Sequence, residues 1–307
     1  MDEQEHLAAC LPPALRGAAI ARIAAGLSGA GVFRVGDTHV LKVARADEAG
    51  WADRIAIQQR AGAAGLAPRV VHVDEARRAV VSELVTGRAF LPRYFDPRTR
   101  PDAIAQLAEL LRRVHALPVR PGMVARSPRA LLAELRVTLA GHAPAFVDAA
   151  IDDVLAAPVI AGAIALCHND VNPSNLASDG DRLVLLDWDA AGPNDPLYDL
   201  AAVAVFLRMD AATCAQLVAA HDGAALAPLS PAFRAQRLLV ATTAGAMFLR
   251  LAHERGHAGA GAQTLEETAP LEAIYQRMRA GALDVAAADG QWCFGLALVK
   301  AGLANIP

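Results

Sequence analysis

Residues 166–189 read LCHNDVNPSNLASDGDRLVLLDWD. His168-Asn169-Asp170 is followed by Asn175, and Asp187 closes a short apolar run, Leu183–Leu186. A carboxylate, an amide and a second carboxylate in this order suit phosphoryl transfer. That reaction asks little covalent work of a protein. It asks for a group that orients the attacking hydroxyl and for hard oxygen donors that hold a divalent cation against phosphates. Asp170 is the expected catalytic carboxylate, and Asn175 and Asp187 are the expected magnesium ligands. A loop rich in Asn, Asp and Pro can also be a mere turn. Here, however, the HxDxxxxN pattern leads into a strand that ends on an aspartate, so pattern and context agree. His168 is expected to prop the loop by hydrogen bonding, since Asp170 already fills the base position.

A nucleotide needs its own cradle, and the first hundred residues offer one. Gly26-Leu27-Ser28-Gly29-Ala30-Gly31 leads into an apolar strand, where backbone N–H groups can close over phosphates. Ser28, Gly29 and Gly31 are the candidate contacts. Lys42 lies in Val40-Leu41-Lys42-Val43, on the next strand. A lysine flanked by apolar residues must snorkel or pair with charge, and the α- and β-phosphates would satisfy it. Val80–Gly87 reads as a hinge, where an adenine would use the Glu83 carbonyl and the Val85 N–H.

Bulk properties narrow the classes. The 307 residues are 54% hydrophobic and 20% charged, with a net charge of −3, so the chain is globular. Nothing in that balance suggests a nucleic-acid or anionic-membrane partner. The four cysteines lie far apart with no CxxC pair, which argues against zinc or a disulfide framework and fits a reducing cytoplasm. The longest uncharged apolar run, Val154–Cys167, is broken by Pro158 and Gly162 and is shorter than the roughly 18 to 20 residues of a membrane span. The acidic start MDEQEH carries no signal-peptide pattern.

These residues need elements to position them. Residues 1–25 are expected to be helical, with Pro12-Pro13 at a helix start. Val32–Val35 and His39–Val43 form a hairpin around Gly36-Asp37-Thr38, followed by a helix over 46–63. A second strand pair covers Pro68–Val73 and Ala79–Leu84. Asp102–His115 has the apolar spacing of an amphipathic helix, and further helices are expected over 128–141, 146–156, 197–208, 210–220, 232–254 and 266–279. Paired strands followed by helices imply an α+β chain: a small antiparallel β-lobe over residues 1–86 and a larger, mostly helical lobe over 87–307.

The Gly-rich hairpin with its lysine, the hinge, HNDxxxxN, Asp187-Trp188-Asp189 and Asp195-Pro196-Leu197-Tyr198-Asp199-Leu200-Ala201 occur in this order over most of the chain. Together they resemble the aminoglycoside phosphotransferase and choline/ethanolamine kinase superfamily, nearest its choline- and thiamine-kinase-like branch. The resemblance implies a protein-kinase-like two-lobed fold, ATP and magnesium as cofactors, and the hydroxyl of a small molecule as acceptor. A cationic alcohol such as choline, ethanolamine or thiamine is expected. The alternatives are an aminoglycoside or natural-product O-phosphotransferase, and a pseudokinase that binds nucleotide without turnover. Two departures stand out. The family places a lysine-pairing glutamate on the helix after the lysine strand, where this chain has Arg54, with Asp53 beside it and Glu48 further off. Choline kinases also tend to carry a tyrosine where this chain has Ala190. A quaternary ammonium is best held by aromatic faces, and Trp188, Tyr275 and Trp292 are the conceivable ones.

Overall fold

The computed structural model describes residues 3–23, 31–45, 50–125, 127–160, 162–180, 182–259 and 261–304. Two compact units emerge, each built from two stretches of chain: residues 1–124 with 173–192, and 125–172 with 193–307. In chain order, α1 (Glu3–Ala9) precedes β1 (Ile20–Arg22), β2 (Gly31–Val35), β3 (His39–Val43) and α2 (Trp51–Ala63). Then come β4 (Val70–Asp74), β5 (Ala79–Glu83), α3 (Phe90–Phe95) and α4 (Arg100–His115). The second unit opens with α5 (Pro128–Thr138), α6 (Ala145–Ala156) and β6 (Ala165–Cys167), before β7 (Leu176–Asp179) and β8 (Arg182–Leu185) return to the first. After β9 (Gly192–Asn194) the chain is helical: α7 (Pro196–Phe206), α8 (Ala211–Asp222), α9 (Pro231–Glu254), α10 (Leu271–Arg279) and α11 (Ala288–Leu303).

The chain has the α+β, protein-kinase-like fold, 51% helical beside a five-stranded antiparallel sheet. The sheet order is β1-β2-β3-β5-β4. Side chains on a strand alternate between faces, and both faces of this sheet are covered. Phe33, Val35, Leu41, Ala79 and Val81 bury one face against Leu7, Cys10 and Leu11 of the N-terminal segment. The opposite face carries Val80, which packs with Trp51 and Ile55 of α2. Lys42 pairs across the sheet with Val32 and Val80, so it stands on this second face.

The N-terminal expectation is corrected. Residues 1–25 do not form one helix: α1 ends at Ala9, Pro12-Pro13 leads only into a 3-10 turn over Pro13–Leu15, and Ile20–Arg22 is a strand. Two consecutive prolines remove two backbone donors, and Ile20 gains a ladder partner in Val35. The segment Phe90–Phe95, marked by Pro92 in sequence, is helical because Phe90 and Tyr94 are buried and their rings stack at 6.1 Å. The expected amphipathic helix is α4, and Ile104, Leu107, Leu110, Leu111 and Val114 are all buried.

In the second unit α9 packs against α5, α6, α7 and α11. Its contact with α11 is close enough to exclude side chains. A Cβ on Gly245 would lie 2.7 Å from the Gly295 carbonyl oxygen, and one on Gly295 would lie 2.8 Å from that of Gly245. Gly295→Ala adds helix propensity of about 1 kcal/mol, yet the methyl meets backbone that cannot swing away. The variant is expected to lose about 1–3 kcal/mol net in urea unfolding, the ordinary cost of overpacking. A neutral or stabilising result would mean that the helices do not approach this closely.

Candidate active site

The first unit assembles a lysine and two carboxylates. Lys42 Nζ donates to Asp187 Oδ1 at 2.9 Å and to Asp189 Oδ2 at 2.5 Å. The lysine side chain is 21% exposed and each aspartate 38%, so the group is half sheltered rather than surface-screened. Burial pulls the Lys42 ammonium down, but Asp187 and then Asp189 outweigh it and leave its pKa above the ordinary lysine value. The lysine is therefore a fixed positive charge.

Asp187 directly follows the strand segment and sits in the left-handed backbone region, with φ 55° and ψ 76°, before a 3-10 turn over Trp188–Ala190. A non-glycine residue there costs roughly 1–2 kcal/mol. Asn175 ends the 3-10 turn Pro173–Asn175, is 8% exposed, and accepts the Leu186 N–H on its backbone oxygen at 2.8 Å. That bond lays the Asn175 segment alongside the segment ending in Asp187. The amide just before β7 and the carboxylate just after β8 are the hard oxygen donor types that suit a magnesium ion.

Asp170 lies in the second unit, on a turn that is pinned from several sides. The carboxylate of Asp199 accepts the N–H groups of His168 and Asn169, both at 2.8 Å. Asn169 is held at φ 64°, and its side-chain oxygen accepts from Asn194 Nδ2 at 2.8 Å. Asn194 in turn accepts the Asp195 N–H on Oδ1 and faces the Cys167 thiol with its backbone oxygen. His168 is fully buried, and its Nδ1 accepts the Asp170 N–H at 3.3 Å, as befits a loop prop. Asn172 Nδ2 donates to Asp170 Oδ1 at 2.9 Å and so orients the carboxylate.

The surroundings are anionic. Burial pushes the Tyr198 phenol well up, with Asp199 and then Asp170 adding to the effect. Burial likewise raises the Cys167 thiol, with help from Asp199 and Asp195, so it stays protonated and is no nucleophile. Asp195 caps α7 by accepting the Leu197 N–H at 2.9 Å and takes a second bond from Gln236 Nε2 at 3.0 Å.

Ser28 and Gly29, and likewise Glu48, lie outside the described residues. Gly31 opens β2 opposite Val43. Glu83 ends β5, and its carboxylate is clamped by Arg69 at 2.8 Å, beside a recess of about 250 Å³ that Val85 also lines. Asp53 is exposed, and Arg54 lines a recess together with Lys42 and Asp189. Trp188 and Trp292 are 2% and 3% exposed, with their indole N–H groups on Leu185 and Gln263. Tyr275 donates to the Phe206 oxygen and lies under Arg208. The two indoles are packed as core, and Tyr275 is half-buried. Sequence reasoning passed over Asn172 and Asn194, whose roles appear only once the turn is folded, and carried Asp189 only as part of the Asp187-Trp188-Asp189 triplet.

A model of the phosphotransferase enzyme family matches residues 19–235, and the chain belongs to that family. Over 37 residues it is 49% identical to the protein LicA of Haemophilus influenzae, which is 12% of this chain and 14% of LicA. Across 98% of both chains it shares its fold with a choline/ethanolamine kinase family protein of Mesorhizobium loti, at 23% identity and a TM-score of 0.62. Choline kinase LicA of Streptococcus pneumoniae has 16% identity and a TM-score of 0.58, over 86% of this chain and 92% of that one. The GDP complex of aminoglycoside 2'-phosphotransferase-IIIa has 15% identity and a TM-score of 0.61, over 82% and 93%. Among the described residues no helix is long and apolar enough to cross a membrane.

Asp199→Asn keeps the size of the side chain but sets an amide N–H₂ against one of two backbone donors. The substitution is expected to cost about 1.5–3 kcal/mol, the range for a hydrogen bond to a charged group, and to raise hydrogen exchange at the His168 and Asn169 amides. Unchanged protection of both amides would show that Asp199 does not hold the turn.

Proposed function

We propose that this phosphotransferase uses magnesium and ATP and moves the γ-phosphate to the hydroxyl of a small cationic alcohol of the choline, ethanolamine or thiamine type. The observation that carries this reading is the pairing of Lys42 with Asp187, residues 145 positions apart. A phosphate-binding lysine and a cation-binding carboxylate are two parts that phosphoryl transfer needs held in register.

In this reading Lys42 neutralises the α- and β-phosphates, and the backbone of Gly31, with Ser28 and Gly29, covers them. The Glu83 carbonyl and the Val85 N–H take the adenine edge, and the Val85 N–H has no backbone acceptor among the described residues. These contacts belong to an N-terminal nucleotide lobe, residues 1–86, with acceptor binding in 87–307. Asn175 and Asp187 would hold magnesium, which supplies positive charge to the phosphate oxygens. Asp170, oriented by Asn172, accepts the acceptor's hydroxyl proton as that oxygen bonds to the γ-phosphorus and the β–γ bridging oxygen leaves with ADP. The negative charge of Asp170 favours a cationic acceptor. The full-length likeness to a protein named as a choline/ethanolamine kinase supports an amino alcohol, and the comparable likeness to an aminoglycoside phosphotransferase keeps the antibiotic class in the test. The free thiols of Cys10, Cys167, Cys214 and Cys293 support a reducing, cytoplasmic setting.

The test is ADP release with Mg-ATP across choline, ethanolamine, thiamine, homoserine and several aminoglycosides, with Asp170→Asn alongside. One amino alcohol is expected to give turnover that falls about 10²–10⁴-fold in the variant, the usual worth of a general base, with Mg-ATP binding retained. Turnover that survives Asp170→Asn would remove Asp170 from the chemistry. Strong turnover with an aminoglycoside alone would move the acceptor to the antibiotic class, and binding of Mg-ATP without any turnover would favour the pseudokinase.

A further inference from the structure

We infer that Asp189 is the carboxylate that holds Lys42 in position for the nucleotide, the task that the family gives to a glutamate on the following helix. This deepens the reading of Lys42 as the phosphate lysine and rests on it.

Three observations carry the inference. First, α2 has no carboxylate where that partner should be. The side chains that α2 presents to the recess containing Lys42 are Trp51, Arg54, Ile55 and Gln58, and Asp53 is exposed. Second, a sheltered lysine between Val32 and Val80 needs a fixed counter-charge, because an ammonium taken from water without one costs several kcal/mol. Third, the two carboxylates that reach Lys42 among the described residues are not equivalent. Asp187 adjoins Asn175 and has the oxygen donors suited to a cation. A carboxylate shared with a divalent ion is a weaker partner for an ammonium, since the ion repels the lysine. Asp189 makes the shorter contact, 2.5 Å against 2.9 Å, from the 3-10 turn against which α2 packs. With Asp187 assigned to the cation, Asp189 is the anchor among the described residues.

The same arrangement accounts for Arg54. A helix glutamate beside Asp187 and Asp189 would put a third negative charge around one ammonium. Arg54 lines that recess with Lys42 and Asp189, and with Asp187 on the same ammonium the group counts two cations and two carboxylates. Asp189 is thus a positioning residue, acting through Lys42 rather than on the substrate.

The test has two arms. In the nucleotide-free protein, urea unfolding is measured for Lys42→Met, Asp189→Asn and the double variant. The effects are expected to be strongly non-additive, with the double variant no less stable than Asp189→Asn alone. Mg-ATP binding is then followed by calorimetry. Asp189→Asn is expected to weaken binding at least tenfold without moving the magnesium midpoint, whereas Asp187→Asn moves that midpoint upward. Adding Arg54→Glu to Asp189→Asn is expected to recover most of the lost affinity by rebuilding the anchor on the helix. Additive unfolding effects, or a magnesium midpoint shifted by Asp189→Asn with no rescue by Arg54→Glu, would overturn the assignment and leave the nucleotide-binding reading standing. Failure of the wild-type protein to bind Mg-ATP would overturn that reading and the role of Asp189 with it.

Discussion

A protein that works on polyphosphates with carboxylates must first keep those carboxylates ionised and still, in places where water is partly excluded. An unpaired buried carboxylate costs several kcal/mol, and each hydrogen bond to a charged group returns roughly 1.5–3. Five aspartates of the motif region receive such compensation. Asp187 and Asp189 share the ammonium of Lys42, and Asp199 takes two backbone N–H groups. Asp195 takes one backbone N–H and the amide of Gln236, while Asp170 is met by Asn172. Much of the surrounding architecture can be understood as the means of delivering these donors.

The sheet delivers the ammonium. Lys42 reaches the carboxylates because β3 lies in a register that sends Leu41 into one core and Lys42 toward the other face. A slip of one residue would exchange them, putting a charge under the N-terminal segment and an apolar side chain against two aspartates. Burying both faces of the sheet therefore fixes the lysine as well as stabilising the unit. In the second unit the donors come from a turn and a helix start. The cap at Asp195 sets where α7 begins, which places Asp199 in its first turn beneath the His168 and Asn169 amides.

The features that could be read in sequence are those whose causes are local. The β2–β3 hairpin announces itself through Gly36-Asp37-Thr38 between alternating apolar residues, and α4 through the spacing of Ile104, Leu107, Leu111 and Val114. The motif segment stood out because its spacing within one short stretch is of the kind that chemistry constrains, and folding brings its Asp187 and Asp189 to Lys42. Long-range causes were hidden. Ile20–Arg22 is a strand only because β2 offers it a free edge, which no property of residues 1–25 reveals. Phe90–Phe95 is helical because two aromatic residues find a core. The link from Asn194 to Asn169 spans 25 positions and uses two side-chain amides, a residue type that more often marks an ordinary turn.

Asn169 and Asp187 show what the motif segment gives up for function. Both occupy the left-handed region, with φ of 64° and 55°, and glycine at either position would relieve roughly 1 kcal/mol or more of backbone strain. Glycine would also remove the side chain that the conformation serves. At Asn169 the backbone twist aligns consecutive N–H groups on one carboxylate, while the amide reaches Asn194. At Asp187 the twist ends the strand segment and starts the turn that carries Asp189, while the carboxylate meets Lys42. Asn and Asp are also the non-glycine residues that visit this region most readily. In the motif segment the two strained positions are therefore those where backbone direction and side-chain chemistry are both required, and these residue types supply both at the lowest conformational cost.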